Sequence, residues 1–188
     1  MKPQRSDPAF RRYLERGLEQ LRASRGREAR YTLAALTSGR VKVDAFSDLT
    51  ARDFRHLRRD LAAQKLRPDD YRRLHDPRSR ALRAISGAIN GYMWDDRVYV
   101  HRQLSPKKLA STLVHEVTHV LNRSEERYRT PRSILLEEYR SFYAEKRFLG
   151  VEMTAARCRA LKAWVIREYG LSGVTPADVP DLPPSRAR

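Results

Sequence analysis

The sequence predicts a mixed α+β fold in which a small sheet packs on helices. Four apolar side chains near the N-terminus share the spacing of one helix face: Phe10, Leu14, Leu18 and Leu21. Spacings of three and four residues are those of an amphipathic helix, here over 8–30. The chain has 188 residues, 40% of them hydrophobic, which is enough for one compact core and argues against a second independent domain.

Residues 1–80 are predicted to form a basic, mostly helical N-terminal region. After the first helix, residues 41–46 alternate apolar and polar side chains and predict a short strand. The run from Thr50 to Asp53 resembles a capping box, and it predicts a second basic helix that ends near Lys65.

A β-hairpin is predicted at the start of the next segment, 81–170. Apolar-rich runs at 85–93 and 97–103 lie on either side of Trp-Asp-Asp at 94–96. Such runs separated by a short polar turn favour a hairpin, and the alternation at 97–102 marks its clearest strand.

Three further helices are predicted after the hairpin. Ser105 and Thr130 each precede a proline, and an N-cap residue followed by proline at the first helical position is typical of a helix start. We expect the first of these helices to end near Asn122 and the second before Gly150, since glycine commonly ends helices. The last helix is predicted over 154–169.

The two ends of the chain lack the patterns of export signals and packed elements. No stretch approaches the ~18 apolar residues of a membrane span, and residues 1–12 lack the apolar segment of a secretory signal peptide. We therefore expect a cytoplasmic protein without a membrane span, with export by another route left open. The C-terminal tail, 171–188, has four prolines and no apolar periodicity, so we expect it to be extended or disordered.

The charge of the chain suggests a polyanionic partner. The net charge is +16 and the pI about 10.6, and basic residues cluster at Arg11–Arg12, 25–30 and 55–59. Such an excess attracts nucleic acid, acidic protein surfaces or anionic lipid. The alternative is that the arginines, which are spread along the whole chain, reflect composition alone.

The strongest motif is His-Glu-Val-Thr-His at 115–119, an H-E-x-x-H pattern. On a helix, His115 and His119 lie one above the other and can bind a single Zn²⁺, while Glu116 lies beside the metal as a general base. Two solvated histidines are the alternative. That alternative is weak because apolar pairs flank the motif on both sides, and partly buried charge needs a partner.

A catalytic zinc needs a third protein ligand. The single cysteine, Cys158, excludes a Cys-rich site and is expected to be a packing residue. No histidine follows His119, so the third ligand must be a downstream carboxylate or the upstream His101. Glu138 has apolar side chains at i−4, i−3 and i+4, so we expect it to face inward and bind the metal.

We do not expect the two other glutamates of this helix, Glu137 and Glu145, to bind the metal. Glu137 shares its helix face with serine and arginine side chains, so we expect it to be solvated and its loss to have little effect. Glu145 lies seven residues beyond Glu138 on the same stripe, where it could orient a metal ligand from behind.

These residues resemble a known family. A strand, a helix with the His115–His119 motif and a second helix carrying Glu138 are similar to the gluzincin branch of the zincin metallopeptidases. The run at 138–144, Glu-Tyr-Arg-Ser-Phe-Tyr-Ala, also resembles the third-ligand helix of small gluzincins, the ImmA/IrrE-like and minigluzincin proteins. The resemblance covers roughly 85–150. It implies a zincin-like catalytic core, one Zn²⁺ per chain and a peptide or protein substrate lying along a strand of the sheet, for which we expect 98–101.

In such a site Glu116 would activate water, and a further donor would stabilise the oxyanion. The candidates are a histidine and three tyrosines: His101, Tyr128, Tyr139 and Tyr143. Two other functions remain open at this point. The chain could hydrolyse a smaller amide, or it could bind nucleic acid or an acidic partner through its N-terminal helices with the zincin-like core as a structural or regulatory module. The intact Glu116 argues against a purely structural core.

Overall fold

The computed structural model describes residues 7–49, 52, 55–56, 90–122 and 130–182. Within these residues the fold is mixed α+β, as the sequence predicts. The helices are α1 Pro8–Ala23, α2 Arg27–Thr37, α3 Pro106–Leu121, α4 Pro131–Phe148 and α5 Ala155–Glu168. The strands are β1 Lys42–Ala45, β2 Gly91–Trp94 and β3 Arg97–Val100, and 3-10 turns span Phe46–Asp48 and Pro176–Asp178.

The N-terminal helix is shorter than expected, because the single helix predicted over 8–30 is two helices. Ser24 adopts extended backbone and ends α1, and Gly26, also extended, begins α2. The predicted apolar face of α1 is confirmed, since Phe10 and Leu21 are buried. Of the helix predicted after Thr50 the structure describes residues 52, 55 and 56, which are helical, and most of the run at 85–93 lies outside the described residues.

The sheet has the order β1-β3-β2. β3 pairs in parallel with β1, where Val98 lies opposite Val43, and antiparallel with β2, where Val98 lies opposite Met93. The hairpin prediction is confirmed, and its turn places Asp95 at a φ of 57°. We expected an extended peptide to pair with 98–101. That expectation is wrong for Val98–Val100, because β1 and β2 already pair with the two sides of β3 and leave no free edge for a peptide strand.

The helix starts follow the predicted capping pattern. The Ser105 hydroxyl accepts a hydrogen bond from the Lys108 amide, and the Thr130 hydroxyl accepts one from Ser133. Both prolines occupy the first turn. Gly150 and Gly170 have positive φ values just beyond α4 and α5, which confirms the predicted helix ends.

α3 is the central element. α1, α2 and the sheet pack on its buried side chains to form the first apolar core, so the N-terminal helices share a core with the helix that carries the motif. α4 packs against another side of α3 and joins this core to a second one, formed with α5. No helix in the described part of the chain is long and apolar enough to cross a membrane.

The C-terminal segment is ordered further than expected. Instead of extending into solvent, residues 171–182 fold back on α4 and α5, and Val179 is 2% exposed. The buried Lys162 ammonium donates to the Val179 carbonyl at 2.7 Å and pairs with Asp181 at the same distance. The segment is held by scattered apolar side chains and one buried lysine. Neither gives the sequence an apolar periodicity from which this packing could be predicted. Cys158 is buried in the same core, as expected of a packing residue.

Candidate metal centre

α3 places its two histidines one turn apart and turns both into the interface with α4. The Nε2 atoms of His115 and His119 are 3.1 Å apart. The exposed fractions of the two residues are 9% and 3%. Two imidazole nitrogens at this separation, both withdrawn from water, can converge on one ion.

α4 brings the third group of this cluster. Glu138 Oε2 lies 3.7 Å from His115 Nε2 and 3.6 Å from His119 Nε2, and Glu138 is 3% exposed. These three side chains are the group of possible ligands within the described residues that could hold a metal ion. The structure therefore places the sequence-predicted trio together.

The charges of the cluster compensate one another. Burial alone would lower the pKa of His115, but its interactions with Glu138 and Glu145 outweigh burial and raise that pKa to about 10. The pKa of His119 is raised in the same way, chiefly by the charge of Glu138. Burial would raise the pKa of Glu138, yet the two histidines hold it well below its usual value. The carboxylates therefore favour protonation of the two histidines, and the histidines favour ionisation of the carboxylates.

Glu145 stands behind His115, as the sequence suggested. Its Oε2 is 3.4 Å from His115 Nδ1, and its Oε1 is 3.0 Å from the Lys108 ammonium. Burial opposes ionisation, but His115 and Lys108 together lower the pKa of Glu145 to about 2. An ionised carboxylate at Nδ1 favours the ring orientation in which Nε2 points at the centre.

The expectation that Glu137 is solvated is wrong. Glu137 is 2% exposed, and its Oε2 lies 3.9 Å from His119 Nδ1. Its other oxygen is 3.7 Å from Arg140. The polar neighbours along the helix suggested solvent, but the Ser141 side chain among them is itself buried, because α4 lies against α3 on this side too. Glu137 stands behind His119 much as Glu145 stands behind His115.

Glu116 is also buried, at 8% exposed, and β2 packs directly on it. A Cβ atom built on Gly91 would lie 2.8 Å from both Cγ and Oε1 of Glu116. The negative charge of Glu116 also contributes to the raised pKa of His115. The motif glutamate is thus held against β2, next to His115 in the sequence of α3.

Aromatic rings from α4 and α5 line one side of the centre. The Phe142 ring meets the His115 ring edge-on with centroids 4.4 Å apart, and Trp164 contacts Phe142 at 4.8 Å. The Tyr169 hydroxyl donates to Glu138 Oε2 at 2.8 Å. The sequence did not indicate Tyr169, because it lies 31 residues from Glu138, just beyond the end of α5, and no spacing rule links the two.

The other candidate donors lie elsewhere or outside the described residues. Tyr139 packs in the second core, where its hydroxyl accepts from the Leu182 amide, and Tyr143 stacks edge-on against Tyr139. His101 Nδ1 accepts from the Gln103 amide at the end of β3. His101 is not in the ligand cluster found among the described residues. Tyr128 lies outside the described residues.

Comparison with known proteins assigns no family to the chain. No family model matches the sequence, and neither the curated proteins nor the solved structures give a match.

Proposed function

We propose that the chain is a zinc-dependent metallohydrolase that cleaves peptide bonds. The convergence of His115 Nε2, His119 Nε2 and Glu138 Oε2 carries the proposal. The circle through these three atoms has a radius of about 2.0 Å, close to the roughly 2.0–2.2 Å of Zn–N and Zn–O bonds. Two histidines and one glutamate are also the ligand set of a class of catalytic zinc sites, which keep the fourth position open.

The surroundings of the centre support the same proposal. His115 Nδ1 and Glu137 Oε2 are buried without a hydrogen bond, although each lies near a group of opposite charge. Buried polar atoms in this state are costly. If the imidazoles were neutral and bound to a metal, their Nδ1–H groups would donate hydrogen bonds, from His115 to Glu145 and from His119 to Glu137. These bonds would satisfy the two buried atoms.

The proposed reaction assigns a role to each residue near the centre. Zinc, when bound, would polarise the substrate carbonyl and lower the pKa of water to about 7. Glu116 would accept the proton of the attacking water and pass it to the leaving amine. Glu145 and Glu137 would hold the imidazole rings in position. We favour a peptide substrate over a small amide because the motif and Glu138 resemble the zinc ligands of peptidases.

A metal analysis paired with activity measurements tests this function. The purified protein should contain about one Zn²⁺ per chain, and His115→Ala should lose it. Glu116→Gln should retain the zinc and lose cleavage of a peptide library followed by mass spectrometry, because an amide cannot accept the proton. Glu152→Gln, at an exposed glutamate beyond α4, is the matched control and should behave as the wild type.

Three results would contradict the proposal. An unchanged zinc content in His115→Ala would remove the motif from metal binding. Full activity in Glu116→Gln would remove this residue from the chemistry. Cleavage of simple acyl amides, with every peptide in the library left intact, would replace the peptidase by a small-amide hydrolase.

A further inference from the structure

The outer face of α2 carries an unusual group of exposed side chains, which we call the α2 stripe. It consists of residues that share one helix face and are all exposed: Arg27, Arg30, Tyr31 and Ala34. Tyr31 is 55% exposed, and it is the one large hydrophobic side chain exposed among the described residues. The Arg27 guanidinium lies over its ring at 5.0 Å from the centroid.

The stripe is cationic without compensation from its own helix. Glu28 is the one acidic residue of α2, and its carboxylate turns away to pair with Arg147 of α4 at 3.2 Å. Its side chain is only 14% exposed. Arg25, Arg27 and Arg30 form no ion pair within the described part of the chain, so their charges face solvent.

Helix stability does not explain this arrangement. Arg25 and Arg27 flank Gly26, the N-cap of α2, where the helix dipole disfavours positive charge. An exposed tyrosine likewise adds nothing to either apolar core. A partner that supplies negative charge and a flat apolar ring would satisfy both features.

We propose that the α2 stripe binds single-stranded nucleic acid. Phosphates would meet Arg27 and Arg30, and a base would stack on Tyr31 or on the guanidinium that covers it. Exposed aromatic rings beside cations are the means by which proteins bind single strands without reading their sequence. Arginines alone would serve any polyanion, whereas an exposed ring favours a ligand with unstacked bases. The stripe shares no residue with the metal centre, so this proposal does not depend on the hydrolase.

Fluorescence anisotropy with a labelled oligouridylate of about 10 nucleotides tests the proposal. Tyr31→Ala should weaken binding by roughly fivefold or more with an unchanged salt dependence, and Tyr31→Phe should restore it. Arg27→Gln combined with Arg30→Gln should weaken binding and reduce the salt slope by about 1.4, the value expected for two phosphate contacts to a single strand. Arg157→Gln combined with Arg159→Gln, two exposed arginines of α5, is the charge-matched control.

Each alternative outcome overturns the proposal. If Tyr31→Ala binds the oligonucleotide as the wild type does, the surface is only a polyanion site, and inorganic polyphosphate should then compete equally well. If the α5 variant loses as much affinity as the α2 variant, binding follows net charge. Tighter binding to duplex than to the single strand, or no binding at low salt, excludes a single-strand site. Because all five positions are exposed, circular dichroism should show the wild-type fold in every variant.

Discussion

Gly91 of β2 lies directly against Glu116 of α3, and the contact leaves no room for a side chain. An added Cβ would sit 2.8 Å from Cγ and Oε1 of Glu116 and 2.7 Å from Cγ2 of Thr112. Both neighbours are buried, so neither can move into solvent. The spacing between the sheet and α3 therefore depends on a glycine at this position, and it fixes where the motif glutamate lies.

The first prediction concerns this contact. Gly91→Ala should lower the free energy of unfolding by about 1–3 kcal/mol, as overpacking of a filled core does, and should displace Glu116. Under the proposed mechanism, hydrolysis should fall by more than the loss of folded protein explains, while zinc content stays near one per chain. Chemical denaturation, metal analysis and turnover check this.

Gly26→Ala is the control for that substitution. At position 26 the nearest atoms to an added Cβ are 3.3 and 3.5 Å away, and the residue lies far along the sequence from the motif. Its effect on the free energy of unfolding should be about 1 kcal/mol or less, because alanine is a poorer N-cap than glycine. Equal losses of activity in the two variants would mean that Gly91 does not position Glu116.

The second prediction separates the metal ligand from its buried neighbour. Glu138→Ala should weaken zinc binding more than about 100-fold, because it removes a ligand and not merely a supporting group. Glu137→Ala should weaken it by about 10- to 100-fold, the usual effect of removing the partner of a ligating histidine. Competition with a chromogenic zinc chelator measures both affinities. Equal affinities in the two variants, or a larger loss for Glu137→Ala, would reassign the third ligand.

The third prediction concerns the pH dependence of the metal-free protein. The pKa of His115 is raised from 6.5 to about 10, so its stabilising effect is complete below pH 6.5 and is lost as the pH rises toward 10. The pKa of Glu145 is lowered from 4.5 to about 2, so its effect is complete above pH 4.5 and is lost as the pH falls toward 2. We therefore expect these two groups to stabilise the metal-free fold most between about pH 4.5 and 6.5.

Urea denaturation of chelator-treated protein from about pH 2 to about pH 10 tests the prediction. Glu145→Gln should flatten the acid side of the profile, since the glutamine does not titrate. The stabilising effect of His115 falls as the pH rises, whereas the affinity for zinc should rise with pH, because imidazoles must lose their proton to bind a metal. An acid limb that is identical in wild type and Glu145→Gln would exclude Glu145 as its source.

The sequence was most informative where local chemistry decides the structure. The caps at Ser105 and Thr130 act on amides three residues away, and the four-residue spacing of His115 and His119 is a property of one helix. Such features need no knowledge of tertiary packing. For the same reason the inward face of Glu138 followed from its apolar neighbours in sequence.

The features that the sequence did not reveal depend on contacts between distant elements. Glu137 has polar neighbours along the chain, and only the position of α3 makes its face a buried one. The alternating pattern of β3 would be the same in an edge strand and in a central strand, so the sequence does not show that both β1 and β2 pair with it. The fold-back of 171–182 depends on one buried lysine, Lys162, which resembles any surface lysine of a helix in sequence.

The last prediction concerns Tyr169, whose hydroxyl donates to the same Glu138 oxygen that faces both histidines. Removing this donor in Tyr169→Phe should lower the free energy of unfolding by only about 1 kcal/mol. Zinc affinity should fall by about 10-fold or more, because the carboxylate loses the bond that fixes its orientation. Tyr139→Phe is the matched control, since that hydroxyl also makes a hydrogen bond but within the second core. If the two variants lose zinc affinity equally, Tyr169 acts through the packing of α5 and not through its bond to Glu138.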